Sequence, residues 1–373
     1  MTWFTAADCD LKEFRVLVEQ TTDPADYPHA ASVERNVLIY DASFADRHAV
    51  QAELVRALTE GPGIVVFREA FAPTVVDRAT AVFQEMIAAQ KAAGVVGGDH
   101  FAKPGANDRV WGALDKFALR DPAAFAAYYA NDVLALISEA WLGTGYQVTS
   151  QINVVNPGGK AQVAHRDYHL GFMSQAQALR YPAHIHHLSP ALTLQGAVAH
   201  VDMPVETGPT LYLPYSHRYP AGYIAFHQPE FTEYFSANYV QLPLRKGDAA
   251  FFNPALFHGA GTNRSAGVRR MANLLQVSSA FGRAMEDVDR AAMSAALYPV
   301  LRSLTSPQEV RNVVAASAEG YAFPTNLDRD QPVGGLAPQT QAELVLQALE
   351  QRWSSERFAA ELRAHTERRV AAP

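Results

Sequence analysis

Histidines are concentrated in one part of the chain, and their spacing is the first indication of chemistry. Nine of the 13 histidines fall between residues 165 and 258, whereas cysteine occurs once, as Cys9. A single cysteine excludes an internal disulfide and a thiolate-rich metal site. Any bound metal would therefore take its ligands from His, Asp or Glu side chains.

Two His-x-Asp tripeptides lie in this part of the chain, His165-Arg166-Asp167 and His200-Val201-Asp202. Residues i and i+2 of a strand share a face, so each tripeptide would present an imidazole beside a carboxylate. The second tripeptide runs into a turn at 203–209, so we prefer the first and interpret His200 as a hydrogen-bonded histidine of the sheet. His258, after an aromatic run, is the best third ligand. Two imidazoles and one carboxylate on Fe(II) leave three positions open, enough for a chelating cosubstrate and dioxygen.

Three segments of the chain carry a family resemblance. AHRDYHLGF and GDAAFFNPALFHGAGTNRSAGVRR, within about 150–280, resemble the phytanoyl-CoA dioxygenase family of Fe(II)/2-oxoglutarate-dependent oxygenases, in its bacterial form. The earlier segment EGPGIVVFREAFAPTVVDRATAVFQEMI is similar to the family's N-terminal part. The resemblance implies Fe(II) bound by His165, Asp167 and His258, with 2-oxoglutarate anchored by Arg269. A guanidinium suits that task because it donates two parallel hydrogen bonds to a carboxylate.

The resemblance also implies a reaction. We expect hydroxylation of an unactivated C–H bond of a small metabolite, with dioxygen and 2-oxoglutarate as cosubstrates, release of succinate and CO₂, and ascorbate as an assay additive. Related halogenases have a small residue in place of the carboxylate ligand, so Asp167 disfavours halogenation.

Further pocket residues are predicted from their positions near the motifs. Gln151, Gln195 and Thr262, with Thr193 as an alternative hydroxyl, are candidates for contacts with 2-oxoglutarate. Arg270 should point away from the pocket if Arg269 points in, because neighbouring strand residues face opposite sides. Candidate substrate-binding residues are Arg109, Trp111, Tyr168, His169, Phe172, Tyr212 and Arg283.

Two other function classes remain open from the sequence. The cluster His184, His186 and His187 has metal-like spacing, so with His258 it could serve a cupin enzyme that does not use 2-oxoglutarate; we expect it instead in a Pro-flanked loop. A non-catalytic jelly-roll binding module is the second alternative. The joint presence of His165, Asp167, His258 and Arg269 argues against it.

The elements that must position these residues form three segments of one predicted catalytic domain, 1–373. Residues 1–145 read as a helix-strand-helix lead-in, with helices at Arg47–Glu60 and from Pro73 to about Ala93. Residues 146–280 alternate like strands of a double-stranded β-helix, a cupin-like jelly roll. Residues 281–373 are predicted to be helical. The expected fold is a mostly β core with helices before and after it.

Composition limits the partners. The net charge is −7 without runs of like charge, which disfavours nucleic acid. No apolar stretch approaches about 20 residues, and the start MTWFTAADCDLKEF lacks a signal-peptide pattern, so we expect a cytoplasmic protein that does not bind membranes. A small-molecule substrate is expected, and a homo-oligomer is compatible with the sequence.

Overall fold

A large mixed sheet forms the centre of the protein. The computed structural model describes residues 2–94 and 107–371. Its strands are β1 Ser32–Glu34, β2 Val37–Asp41, β3 Ile64–Arg68, β4 Asn107–Val110, β5 Gln147–Val155, β6 Thr193–Ala199, β7 Leu211–Leu213, β8 Ala249–Phe252, β9 Phe257–Gly259 and β10 Arg270–Ser278. Eight of them form one sheet in the order β1-β2-β3-β8-β6-β10-β5-β4, while β7 and β9 form a small antiparallel sheet. Among these strands of the described residues, β2 and β3 form the one parallel pair.

Helices precede, interrupt and follow the strands. They are α1 Leu11–Val18, α2 Arg47–Thr59, α3 Pro73–Ala92, α4 Ala113–Arg120, α5 Pro122–Tyr129, α6 Asp132–Leu142, α7 Gln175–Ala178, α8 Ala183–Ala191, α9 Gly222–Ala225, α10 Pro229–Asn238, α11 Arg290–Leu301, α12 Pro307–Ser317, α13 Gln341–Glu350 and α14 Ser355–Arg369. Helices α2 and α3 match the predicted lead-in. The Asp46 side chain caps α2 by accepting from Ala49 N, and Pro73 occupies the first turn of α3, where its missing N–H costs nothing.

Strand β10 organises the two faces of the large sheet. It lies between β5 and β6, with Leu274 opposite Gln151 and Ala197. Its even-numbered residues face a cavity between the large and small sheets. Its odd-numbered residues face the other way, where the Asn273 amide donates to the hydroxyls of Tyr128 and Tyr129 on α5. The predicted jelly-roll core with helical flanks is confirmed.

Some predicted elements differ in detail. The segments predicted as strands at 162–167 and 239–243 form only isolated bridges, His165 with His258 and Tyr212 with Val240. The first cannot continue as a strand because Tyr168 and His169 adopt positive φ values of 65° and 44°.

The C-terminal segment also departs from the prediction. The helix expected from Ala284 begins only at Arg290, where the Asp289 side chain accepts from Ala292 N. The helix expected over 338–368 is two helices, α13 and α14, separated where Arg352 turns the chain at φ 51°.

Residues from all three segments share one hydrophobic cluster. It includes Leu38 of the lead-in, Leu275 of the core, and Leu297 and Phe358 of the C-terminal helices. The single catalytic domain over 1–373 stays a prediction. No helix in the described ranges combines the length and apolar character needed to cross a bilayer.

Candidate metal centre and cavity

His165, Asp167 and His258 converge at one point of the structure. Their potential ligand atoms lie within 4.8 Å of one another. The backbone brings them together, because the N–H of each histidine donates to the carbonyl of the other, at 3.0 and 3.1 Å. The Asp167 N–H donates to Pro254 O at 3.0 Å. The extended segment that ends at Asp167 is thus fixed against β9 without being a regular strand.

Both imidazoles are oriented by backbone carbonyls. His165 Nδ1 lies 2.9 Å from Val163 O and His258 Nδ1 lies 2.8 Å from Leu256 O. A carbonyl only accepts, so each Nδ1 carries the proton and each Nε2 keeps its lone pair. The Nε2 atoms face the Asp167 carboxylate, at 3.7 Å for His165 and 3.3 Å for His258. Two imidazole nitrogens and a carboxylate oxygen are a donor set that suits non-haem Fe(II), so the residues present fit this metal.

The electrostatics favour the metal-binding protonation states. Burial lowers the pKa of His165, and the neighbouring His258 lowers it further, which favours the neutral ligand form. Burial alone would raise the pKa of Asp167, but the neighbouring His165 and His258 and the hydrogen bond from Gln195 hold it well below its ordinary value. Asp167 is therefore an anion ready to bind a cation.

A cavity of about 540 Å³ opens beside these three residues. Along β10 it is lined by Arg270, Ala272, Leu274 and Gln276, which point to the same side because they alternate along the strand. The other wall residues come from β4, β5, β6, β7 and β8 and from segments between the strands. Gln151, Asn153, Arg109, Trp111, Phe172, Tyr212, Thr210, Gln162, Gln195 and Met285 are among them.

Arg269 does not reach the cavity, so its predicted contact with 2-oxoglutarate is wrong. Its side chain is 54% exposed and lies on the opposite face of the sheet, where Nη2 is 2.5 Å from Asp108 Oδ2 and Nε donates to Asn156. Arg270 takes the inward position instead and is 7% exposed. The two residues face opposite sides of the sheet, as expected. Which of them faces the cavity is set by the pairing of Arg270 with Val155 on β5.

Several other predicted pocket residues also lie elsewhere. Thr262 does not line the cavity, because its hydroxyl accepts from Ala161 N on the outer side. Arg283 is exposed. Tyr168 and His169 follow Asp167 in the left-handed backbone region, which turns their side chains away from the cavity; His169 Nδ1 lies 3.3 Å from Ser189 Oγ.

The other predicted pocket residues lie on the cavity wall. Gln151, Arg109, Trp111, Phe172 and Tyr212 all line it, and the Arg109 guanidinium lies over the Trp111 ring at 4.4 Å. The preceding residues of the predicted loop, 99–106, fall outside the described residues.

Gln195 lines the cavity but contacts the metal centre. Its side-chain nitrogen donates to Asp167 Oδ2. The sequence indicated a departure from the family at this position, without showing the partner.

Core packing and local hydrogen bonds explain the second His-x-Asp tripeptide, His200-Val201-Asp202. His200 is 1% exposed, with Nδ1 2.7 Å from Thr80 Oγ1 and Nε2 3.0 Å from the Tyr128 hydroxyl. Burial lowers the pKa of His200 to about 3. Asp202 accepts from the backbone N–H of Lys246. The second His-x-Asp is thus a core feature.

The His184–His187 segment forms helix α8, so the predicted loop is wrong. His186 is buried and its Nε2 lies 3.1 Å from Ala178 O, whereas His184 and His187 are exposed. In residues 2–94 and 107–371, the only histidine and acidic cluster of metal-site size is His165–Asp167–His258.

Several cavity residues were missed by sequence reasoning, among them Arg270, Thr210 and Gln276. Arg270 was assigned to the wrong face, and Thr210 and Gln276 were not singled out. Alternate residues of β10 share a face, so Gln276 could have been predicted together with Arg270. That prediction needs the register of the strand, which decides whether the even-numbered or the odd-numbered residues face the cavity.

Comparison with known proteins decides the family. The family model described as phytanoyl-CoA dioxygenase matches residues 59–271, more than half of the chain. The chain belongs to the phytanoyl-CoA dioxygenase family. The family and the donor set identify an Fe(II)/2-oxoglutarate-dependent enzyme, with Fe(II) and 2-oxoglutarate as its cofactor and cosubstrate.

Three solved structures are similar to the chain at low sequence identity. The carbocyclase SnoK of nogalamycin biosynthesis is 21% identical over 64% of this chain and 87% of its own, with a TM-score of 0.46. The epimerase SnoN of the same biosynthesis is 18% identical over 62% of this chain and 82% of its own, with a TM-score of 0.42. AviO1 from Streptomyces viridochromogenes is 17% identical over 65% of this chain and 99% of its own, also with a TM-score of 0.42. No curated protein matches the chain.

Proposed function

We propose that the protein hydroxylates an unactivated C–H bond of a small polar metabolite, with conversion of 2-oxoglutarate and dioxygen to succinate and CO₂. One observation carries this proposal. The cluster His165–Asp167–His258 faces the same cavity as Arg270, a buried arginine with no acidic partner among the residues that the structure describes.

The metal ligands are His165, Asp167 and His258 in this proposal. Bound iron supplies the oxidising power when 2-oxoglutarate and dioxygen are present. The protein's share is to present two neutral imidazoles and one carboxylate beside the cavity, a donor set that would leave coordination positions of a bound metal free for other ligands. The carbonyls of Val163 and Leu256 hold the imidazoles so that both Nε2 atoms point to one place.

Arg270 is the anchor for the distal carboxylate of 2-oxoglutarate. Within residues 2–94 and 107–371 its guanidinium makes only long hydrogen bonds, from Nη1 to Thr207 O at 3.5 Å and to Gly261 O at 3.4 Å, so most of its donors remain available for a ligand. Thr210 and Tyr212 lie on the same part of the wall, and Tyr212 is paired with His258 across the small sheet. A carboxylate placed between Arg270 and the metal centre would neutralise a buried cation.

The remainder of the cavity suits a polar substrate. The Gln151 side-chain nitrogen lies 3.4 Å from Gln276 Oε1 and 3.3 Å from Glu286 Oε1, which are long contacts for a buried amide. Asn153 Oδ1, on the same strand, is buried with no hydrogen-bond partner among the described residues. Such groups are costly in an empty apolar pocket, and a substrate with hydroxyl or amino groups would satisfy them.

Water exclusion is the other contribution of the cavity. Phe252, Leu274 and Met203 form apolar wall around the polar groups, so a bound substrate displaces solvent from the side where the C–H bond is attacked. Together these residues would orient the substrate relative to the metal.

The test uses anaerobic absorption spectroscopy of the protein with Fe(II) and 2-oxoglutarate. The wild type should develop the visible metal-to-ligand charge-transfer band, and His165→Ala should lose it. His184→Gln is the matched control, since it removes an exposed imidazole of the rival cluster and should keep the band.

A second step tests the reaction itself. Candidate substrates are screened in ¹⁸O₂ by succinate release, and the product is analysed by mass spectrometry. Hydroxylation predicts one ¹⁸O in the product and one in succinate. Iron binding without the band, or a product that lacks the label, would contradict the proposal.

A further inference from the structure

Gln195 is the polar side chain of the cavity wall that touches a metal ligand directly. It lies on β6, opposite Gln276 of β10 and Phe252 of β8. Its side-chain nitrogen donates to Asp167 Oδ2. The direction of this amide is fixed by chemistry, because an ionised carboxylate only accepts hydrogen bonds, so the nitrogen and not the oxygen must face Asp167.

The other end of the amide shows that this contact costs stability. Gln195 Oε1 is buried and has no hydrogen-bond partner among the described residues. A buried acceptor without a partner typically costs about 1–3 kcal/mol. Packing or sheet stability does not explain why an amide is placed here, since an apolar side chain would avoid the cost.

The two oxygens of the Asp167 carboxylate have different surroundings. Oδ2 receives the Gln195 hydrogen bond and lies 3.3 Å from His258 Nε2. Oδ1 lies 3.7 Å from His165 Nε2, and no hydrogen bond to it is found within the described residues. Gln195 therefore makes the carboxylate asymmetric before any metal arrives.

We infer that Gln195 is a positioning residue that makes Asp167 bind the metal through one oxygen. Carboxylates bind metals through one or both oxygens, and a strong hydrogen bond to one oxygen favours binding through the other. The consequence concerns coordination sites. A chelating carboxylate would fill one of the three open positions, whereas 2-oxoglutarate needs two and dioxygen needs the third. This inference rests on the proposed function, because it assumes the metal centre at His165–Asp167–His258.

The experiment counts water molecules on a bound probe metal. Mn(II) is added to the protein without 2-oxoglutarate, and the broadening of its electron paramagnetic resonance lines in H₂¹⁷O measures the coordinated waters. Gln195→Met keeps the length of the side chain but removes the donor. We expect this variant to hold one water fewer than the wild type and to bind Mn(II) about 10–100-fold more weakly, since loss of a hydrogen-bond partner of a metal ligand typically costs that much affinity.

Gln151→Met is the matched control. It replaces another buried amide of the same cavity, on strand β5, which β10 separates from β6. Its hydrogen bonds go to Gln276 and Glu286. Its water count and Mn(II) affinity should equal those of the wild type. If the methionine at 195 prevents folding, as judged by circular dichroism, Gln195→Leu provides a shorter apolar variant for the same measurement.

The outcomes separate the inference from the proposed function. A folded Gln195 variant with unchanged water count and Mn(II) affinity overturns the positioning role, even if its melting temperature falls. Failure of the wild type to bind Mn(II) or Fe(II) overturns the metal centre itself, and the positioning role with it. A lost water in Gln195→Met but not in Gln151→Met supports the inference.

Discussion

Arg166 and Arg270 are both buried arginines close to the metal centre, but they have different surroundings. Arg166 lies between His165 and Asp167 in the chain and points away from the cavity, with Nη2 2.5 and 3.1 Å from the carbonyls of Ser216 and Tyr219. Aromatic rings lie against its guanidinium, and the space around it is filled. A Cβ added to Gly222 would come within 1.9 Å of the guanidinium carbon.

Arg270 has the same charge and similar burial but lies beside open space. Its contacts to carbonyls are 3.4 Å or longer, and it lines the 540 Å³ cavity. Burial lowers the pKa of each arginine to about 10, so both remain cations near neutral pH. The difference shows that burial of a charge does not by itself indicate function. A guanidinium packed between backbone carbonyls and aromatic rings has no room for a ligand, whereas one with long contacts that lines a cavity can bind one.

The largest effect should come from removing the cavity-facing cation. Arg270→Met should weaken 2-oxoglutarate binding by about 3 kcal/mol, roughly a hundredfold, because a buried carboxylate would lose its charged partner. Fluorescence or calorimetric titration of the metal-loaded protein under anaerobic conditions measures this. The free energy of unfolding should stay level or rise, since a desolvated cation without an acidic partner is removed.

Arg166 should instead make the protein less stable when an atom is added beside its guanidinium. Gly222→Ala should lower the free energy of unfolding by about 1–3 kcal/mol, because Arg166 is held by its carbonyl partners and cannot move aside. Urea denaturation measures the change. Gly267→Ala is the control, since its added Cβ would meet no atom within 4 Å. If Gly222→Ala and Gly267→Ala lowered the free energy of unfolding by the same amount, Arg166 would have moved aside and would not be rigidly packed.

The contrast between the two arginines also shows where sequence reasoning succeeds. Regular periodicity predicted α2, α3 and most of β5 and β10, because burial of one face is written into the spacing of apolar residues. The proposed metal ligands were predicted from two residues that share a face and a third at the end of an aromatic run, and the structure brings these three side chains together. Local chemistry and local geometry were sufficient for these.

The side of the sheet that a residue faces was harder to predict, because it depends on pairing with a strand that is distant in the sequence. Adjacent arginines at 269 and 270 satisfy the same sequence pattern, and only the register of β10 against β5 decides which one enters the cavity. Tyr168 and His169 were misplaced for a different reason. Their positive φ values occur without glycine or asparagine, so the residue types at these positions did not predict the turn after Asp167.

The two His-x-Asp tripeptides extend the same comparison to a pH effect. Burial lowers the pKa of His200 from 6.5 to about 3, so below pH 6.5 the unfolded chain binds a proton that the folded protein does not. The free energy of unfolding should therefore fall as the pH drops, by about 1.4 kcal/mol between pH 7.5 and pH 5.5. The difference between wild type and His200→Gln isolates this contribution from other buried histidines.

Urea denaturation at pH 7.5 and 5.5 measures that difference. The stability advantage of the wild type over His200→Gln should shrink at the lower pH. The corresponding difference for His184→Gln, which changes an exposed side chain, should stay nearly constant. A wild-type advantage that grows on acidification would mean that His200 is protonated in the folded protein.

The smallest effect is expected for the outward arginine. Arg269 and Lys91 both contact Asp108, at 2.5 and 2.7 Å, but both cations are more than half exposed. Exposed pairs of this kind contribute about 1 kcal/mol or less and are screened by salt. Arg269→Met should therefore lower the free energy of unfolding slightly at low ionic strength, and the loss should diminish in about 1 M NaCl. Its affinity for 2-oxoglutarate should equal that of the wild type, because Arg269 lies on the far side of the sheet from the cavity. A hundredfold loss in this variant, with Arg270→Met unaffected, would reverse the assignment of the two arginines.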